Sequence, residues 1–575
     1  MLELKSCPKV YSKDQDKAVS PEETVSRVKA LLDEKCNGVL KCTRKVDTGR
    51  LGIPVFISEC GDEAREVMPT RKQMGKGASV AQAEASALME LVERFSFFSF
   101  WSTPENFTLA TYSEAEDLWP GKVVSIEKIL QSVGEDMDPG KARVILDLVR
   151  WHFYPALNVH TGEEEYVPLD WFKILNEFNG ASAGNSPEES VLQGASELVE
   201  RHVCAVIDRD RPEVPVIDPA SCDDEVLANL CKCFDDNDIK YIINDFSFGM
   251  PLPTVAVTAW DPSTFPGMSE IVFTAGTSAS PCKAAIRAFT EVAQLAGDFE
   301  TGRVYEASGL PKFTEIEQTG WLGAGQCVQM KSLPSVESDD IYDELKTFAA
   351  RLDEKGYTLY TVATTHPELG VPANYNFVPG FQFRERTPHA SLGLFVGRIL
   401  SEKVALDIAG DGLDVISDIY GEPYFIPFFE GMLALRGGDT SHAVDMFSIA
   451  VEMQPADEEK ALSAFYTAYA LSLEERWPVT IPYLDRAIEL DDEAKEYFNL
   501  RGVAKFKAKD YALAAVDFKA ALALDSGSAS DLANLGLCHK FMGEDDEAIE
   551  YLTTALELDP SLEYALPHLQ ELLDK

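Results

Sequence analysis

Three stretches of this chain align on a serine and carry carboxylates at matching distances from it. Eleven residues after Ser79, Ser186 and Ser280 stand Glu90, Glu197 and Glu291. Fourteen residues after each serine come Glu93, Glu200 and Gln294, and seven after come Ser86, Gln193 and Arg287. Steps of four and three place each trio on one helix face. Arg94 and Arg201 directly follow the second glutamate of the first two copies. Glu90, Glu93, Glu197 and Glu200 offer hard oxygen donors, the kind Mg2+ takes while sharing substrate phosphates. The arginines can pair with spare carboxylate charge or with phosphate. A lone Glu-x-x-Glu-Arg is ordinary on an exposed helix, where its ion pairs are weak. Three copies in register ask for more.

Each serine reads as a helix N-cap, with Pro187 and Pro281 at the first helical position. Gln82 and Glu189, three residues on, are placed to complete capping boxes. The helix after Ser79 carries Ala81, Ala83, Ala85, Ala87, Leu88, Leu91, Val92 and Phe95, apolar on nearly every side. Such a helix is expected to be buried. Carboxylates on it need compensation, since a buried unpaired charge is costly, and Mg2+ is the natural counter-charge. Neither GxxxxGK[ST] nor a convincing GxGxxG occurs, and Gly75-Lys76-Gly77 is too short to stand for one. If a nucleotide binds, the glutamate helices hold it. The eleven cysteines form no CxxC pair and none falls on the aligned positions. They read as reduced thiols, with neither structural zinc nor an obligatory cysteine nucleophile.

The segments GKGASVAQAEASALMELVERF and GNSPEESVLQGASELVERH resemble the two signature helices of the YcaO family, and AIRAFTEVAQ is similar to a later helix of that family. The resemblance runs over roughly residues 1–405. It implies ATP-dependent activation of a peptide-backbone amide: a nucleophile adds, the oxyanion is phosphorylated, and loss of phosphate leaves an azoline or a thioamide. By the same resemblance Glu90, Glu93, Glu197 and Glu200 bind magnesium. Lys17, Ser86, Asn185, Gln193, Arg201 and Arg287 contact ATP, with Glu291, Gln294 and Arg94 as additional members. The chain departs from azoline-forming members in ending on helical LQELLDK rather than a proline-rich tail, and in showing no leader-peptide-binding segment ahead of residue 20.

A second repeat fills the C-terminal part. Gly502 and Gly536, Ala514 and Ala548, Ala521 and Ala555, and Asp525 and Asp559 each stand 34 apart. Ala487 and Asp491 keep the step, and Gly431 and Ala450 fit one more copy after an insertion of about three residues. Each unit reads as two amphipathic helices with small residues at close approaches, and resembles the tetratricopeptide repeat. Such stacks bind extended peptides or partner proteins. The expected division is a catalytic domain over 1–405, a linker over 406–421, and about four repeats plus a terminal helix over 422–575.

Between the motif helices, β-rich runs at 240–245, 253–260 and 357–365 point to an α+β fold for the first domain, followed by an all-α solenoid. A net charge of −45 spread over 575 residues argues against nucleic acid and anionic membranes. The N-terminus has no apolar signal region and no run long enough to span a bilayer, so a cytoplasmic protein is expected. Two functions of different class fit: an ATP- and Mg2+-dependent amide-modifying enzyme with a docking tail, or a non-catalytic ATP-binding adaptor. Expected partners are a peptide or protein substrate and a protein on the repeats, a TfuA-like sulfur-delivery protein among the candidates.

Overall fold

The computed structural model describes residues 2–46, 49–296, 299–300, 302, 305, 309–384 and 389–575. They divide into two compact units, Met1–Pro139 with Arg150–Ala390, and Gly140–Val149 with Ser391–Lys575.

The first unit is built on three sheets. One is an antiparallel trio of Leu40–Lys45, Val55–Cys60 and Lys72–Lys76. A second runs Val272–Thr277, Thr254–Trp260, Lys240–Asp245, Val216–Asp218 and Cys327–Gln329, antiparallel except for the last pair. The third orders Thr108–Ala110, Trp151–Asn158, Tyr360–Ala363, Ala373–Phe377 and Ala181–Ala183, with Glu164–Pro168 also on Trp151–Asn158. All its pairings are antiparallel, as the α+β expectation requires. The three β-rich runs picked from sequence all lie within strands or overlap them.

An edge strand of each sheet leads into one motif helix. Lys72–Lys76 feeds Val80–Trp101, Ala181–Ala183 feeds Pro187–Asp210, and Val272–Thr277 feeds Pro281–Ala296. Each helix packs on its own edge strand and on the edge strand of the next copy, the third returning to Lys72–Lys76. The three copies thus close a cycle around a common centre. Ser79 and Ser186 cap their helices, their hydroxyls accepting from Gln82 N–H and Glu189 N–H. Neither closes a full capping box. Glu189 instead accepts from Ala18 N–H at 3.0 Å and from Asn185 Nδ2, and Gln82 Oε1 has no partner. The first helix is buried along most of its length, from Gln82 to Phe100.

Close approach of strand to helix demands glycine at two matching positions. A Cβ on Gly75 would lie 2.0 Å from Ala87 N, and one on Gly276 2.4 Å from Ala284 O, both helix backbone.

In the second unit, four helix pairs follow one another: Ile426–Gly437 with Thr440–Met453, Asp457–Leu473 with Trp477–Leu490, Lys495–Lys507 with Tyr511–Leu524, and Ala529–Met542 with Asp545–Leu558. Ala565–Leu573 ends the chain. Gly431 abuts Phe447, Gly502 abuts Phe518 and Gly536 abuts Leu552, the same sixteen-residue contact in three of the four pairs. The stretch 406–421, expected as a linker, is instead a helix, Leu406–Tyr420, which packs with Leu392–Lys403 and Ile426–Gly437. Its buried Ala409, Gly412, Leu413 and Ile416 recur at steps of three and four, the spacing of a packed face, and they carry the unit back to Ser391.

Because neither the strand nor the helix backbone can yield, Gly75→Val is expected to destabilise the first unit by about 2 kcal/mol or more. Thermal melting checks this.

Candidate functional site

Every site residue picked from the sequence lines one cavity of about 310 Å3 where the three motif helices meet. Ser86, Glu90, Glu93 and Arg94 come from the first helix, Gln193, Glu197, Glu200 and Arg201 from the second, and Arg287, Glu291 and Gln294 from the third. Asn185 enters just ahead of the second helix. Lys17 enters from an N-terminal arm, where it lies 3.4 Å from Glu189. Lys13 does not line the cavity; its carbonyl accepts from Lys283 Nζ. Asn185 is held on both sides: its Oδ1 accepts from Thr24 and Arg27, and its Nδ2 donates to Glu189.

Charge dominates the cavity. Seven carboxylates line it, from Asp14 to Glu291, against the five cations Lys17, Lys76, Arg94, Arg201 and Arg287. Burial pushes the Glu93 carboxyl well above its ordinary range; Glu197 and Glu90 add to the shift, while Arg94 opposes it. Burial likewise raises Glu90, against the pull of Arg94 and Lys76, and raises Glu200, against Arg287 and Arg201. Lys76 moves the other way: burial and Arg287 bring it down to about 7 although Glu200 and Glu90 hold its proton.

The carboxylates divide among the cations rather than meeting. Glu93 lies 3.4 Å from Arg94 Nε, Glu197 lies 3.9 Å from Arg201 Nη2, and Glu291 pairs with Lys76. Gly180 N–H donates to Glu197 Oε2, and the Arg94 guanidinium stands over the Phe178 ring at 4.2 Å. Arg287 donates to Gln193 Oε1 at 2.9 Å. Among the described residues, no three acidic, histidine or cysteine side chains close on one metal-coordinating point. Mutual repulsion keeps like charges apart unless a cation joins them. Glu200 Oε2, Arg94 Nη1 and Arg287 Nε are buried there without hydrogen-bond partners. An unpaired carboxylate oxygen beside unpaired guanidinium nitrogens fits a ligand carrying both a metal ion and anionic oxygens.

A family model described as YcaO cyclodehydratase, ATP- and Mg2+-binding, matches residues 74–382. The chain belongs to the YcaO family. Every site residue from Ser86 to Gln294 falls inside that match; Lys17 precedes it. A tetratricopeptide-repeat model matches 529–562, the last helix pair. An uncharacterised protein of Methanothermobacter thermautotrophicus is 24% identical over 395 residues, 64% of this chain and 94% of its own. A Rhizobium leguminosarum bv. trifolii protein, named for the tfuA 3′ region, is 24% identical over 421 residues, 68% of this chain and 94% of its own. The structure of a heterocyclase in complex with substrate and cofactor superposes with a TM-score of 0.53 at 21% identity. That likeness covers 66% of this chain and 55% of the heterocyclase, and shows the YcaO fold.

The protein is thus a YcaO-type, ATP-dependent enzyme with ATP and Mg2+ as cofactors. Among the described residues no helix is long and apolar enough to cross a membrane, and no cysteine lines the cavity.

Sequence reasoning missed several lining groups. Lys76 stands in Gly75-Lys76-Gly77, which has no phosphate-loop pattern to mark it. Gln82 and Glu189 carry only a helix-start signal. Asp14 and Gln15 gave no signal, because an irregular arm has no periodicity.

Since the folded state keeps the Glu93 proton to higher pH than the unfolded chain does, its contribution is fully present at low pH. That contribution is lost as the pH rises from the ordinary carboxylate range through the raised value. Metal-free Glu93→Gln is therefore expected to melt at or above the parent at about pH 8, by up to about 2–4 °C. The gap should close as the pH falls, and melting curves across pH test it.

Proposed function

We propose that this enzyme binds Mg·ATP among its three motif helices and activates a peptide-backbone amide, giving a thioamide or an azoline. The observation that carries the reading is the convergence of acidic and basic side chains from three helices on one cavity, with Glu200 Oε2, Arg94 Nη1 and Arg287 Nε left unpaired. Seven carboxylates against five cations would repel a bare nucleotide, so divalent cations are needed to admit one.

In this reading Glu90, Glu93, Glu197 and Glu200 would hold Mg2+, Glu93 and Glu197 leaving Arg94 and Arg201 to do so. Arg94, Arg201 and Arg287 would hold phosphate oxygens, with Lys76 beside them, and Lys17 would reach the nucleotide from the arm. Ser86 and Gln193 line the path between, and Asn185 fixes Glu189, which holds the arm and Lys17. Bound ATP supplies the phosphoryl group that turns the amide oxygen into a leaving group. Glu291 and Gln294 line the same cavity. The neighbourhood of tfuA in the name of the Rhizobium relative favours the thioamide and a TfuA-like sulfur-delivery partner.

Glu90→Gln and Glu200→Gln are each expected to weaken Mg·ATP binding by about tenfold or more, since each removes a metal oxygen and a charge. Calorimetry that finds unchanged affinity in both would falsify the assignment.

The repeat unit we assign to docking substrate or partner. A hollow of about 310 Å3 follows the first helices of successive pairs, with Phe465 and Tyr469 on one side and Asn499, Ser530 and Asp531 on the other. Residues 421–575 hold 30 acidic and 12 basic side chains, so a basic partner would be steered to the unit and released by salt. Replacing Phe465 and Tyr469 together by alanine in the full chain is expected to lose the partner in pull-down. Mg·ATP affinity should stay within about threefold, roughly 0.7 kcal/mol. A combined loss of both would make the repeats part of the catalytic machinery.

A further inference from the structure

The cavity has two chemically different ends. Gln82 and Glu90 lie on the same helix eight residues apart, which is about 12 Å along its axis. Glu93 lies almost a turn further. Arg94 and Arg201 stand beside Glu93 and Glu197, toward the far end of the motif helices from Gln82. Near Gln82 two acceptor oxygens are buried without partners. Asp14 is 2% exposed and its Oδ2 has no hydrogen bond; Gln82 is 7% exposed and the same holds for its Oε1. Both residues line the cavity.

Neither side chain is loosely placed. Tyr11 OH donates to Asp14 Oδ1 at 2.7 Å and so fixes the other carboxylate oxygen, while the same tyrosine hydrogen-bonds Ser79 at the helix start. The arm around Asp14 is pinned at Tyr11 and Lys17 by reciprocal backbone hydrogen bonds. Gln82 sits in the first helical turn, and Gly77 lies so close that a Cβ there would be 2.6 Å from Gln82 Cγ. A fold does not hold two buried acceptors unpaired without a cost, so a donor-bearing ligand group is the natural complement.

We propose that Asp14 and Gln82 read the nucleoside: their oxygens accept hydrogen bonds from ribose hydroxyls or from the exocyclic amine of adenine, and so set which nucleotide the enzyme uses. This rests on reading the cavity as the Mg·ATP site, whose phosphates lie at the arginine end. A carboxylate accepts hydrogen bonds and cannot donate them, so a base presenting a carbonyl at the amine position would be rejected if the amine is the donor. Tyr11 acts as a positioning residue through Asp14.

The test is calorimetry of the full chain with Mg2+ complexes of ATP, 2′-deoxyATP, 3′-deoxyATP and ITP, on the parent, Asp14→Ala, Asp14→Asn and Gln82→Leu. Parent affinity is expected to fall about tenfold or more for the analogue that lacks the donor. Asp14→Ala should weaken ATP by a similar factor and no longer distinguish that analogue. A deoxy analogue carrying the penalty identifies a ribose hydroxyl, and ITP carrying it identifies the adenine amine. Asp14→Asn keeps the Tyr11 contact and shape; it should retain ATP if the donor is a hydroxyl, which also accepts, and lose it if the donor is an amine. If both Asp14 variants, folded by circular dichroism, discriminate all four nucleotides as the parent does, the proposal is wrong. Glu90→Gln, measured alongside, separates the two failures. If it binds Mg·ATP with the parent's affinity, the metal-site reading falls; if only Asp14 is silent, the nucleoside reading falls alone.

Discussion

Everything at the centre of the first unit follows from one electrostatic constraint: carboxylates from three helices must share one cavity. Six from the helices and Asp14 from the arm face five cations there. Such an arrangement survives only where charges are paired, protonated or bridged by metal. The shifts agree with that. Glu90, Glu93 and Glu200 all hold protons above the ordinary range, with burial as the first cause. The residual pairing is weak, with Glu93 to Arg94 at 3.4 Å and Glu197 to Arg201 at 3.9 Å.

The cyclic arrangement of strand and helix makes this constraint possible to meet. Each motif helix leaves the edge of its own sheet and packs against the edge strand of the next copy. Three acidic faces are thereby turned inward without any of them crossing an apolar core. The glycines at 75 and 276 let strand backbone approach the backbone of the first and third motif helices. Polar groups that elsewhere would finish a capping box are diverted: Glu189 to the N-terminal arm, Gln82 toward the cavity. Helix-end groups thus serve the arm and the cavity lining rather than the caps.

The second unit works by a different physics. Its pairs repeat a small-residue approach, Gly431 to Phe447 and Gly502 to Phe518, and its helices are stabilised by neighbours rather than by a single deep core. Ion pairs join its helices, such as Arg501 between Asp485 and the buried Asp517. They tie consecutive pairs together, and the unit as a whole is acidic.

The sequence by itself determined the three-fold repetition of Ser, Glu and Glu or Gln, the helix faces on which the carboxylates lie, the caps at Ser79 and Ser186, and the 34-residue period of the tail. These are local properties, because helical geometry converts spacing directly into facing. That the three faces meet in one cavity was legible only through the requirement that buried carboxylates be compensated. Tertiary structure alone decided the rest. It brought Asp14, Gln15 and Lys17 from an aperiodic arm to the mouth of the site, because hydrogen bonds from Ala18 to Glu189 and from Lys5 to Glu188 join segments about 170 to 180 residues apart. It lowered Lys76, whose isolated sequence context said nothing, by surrounding it with buried charge. It also made a helix of 406–420, expected as a linker, where a buried apolar face outweighs two glycines. Periodicity is written in the chain; which distant groups share a low-dielectric space is settled only when the chain has closed on itself.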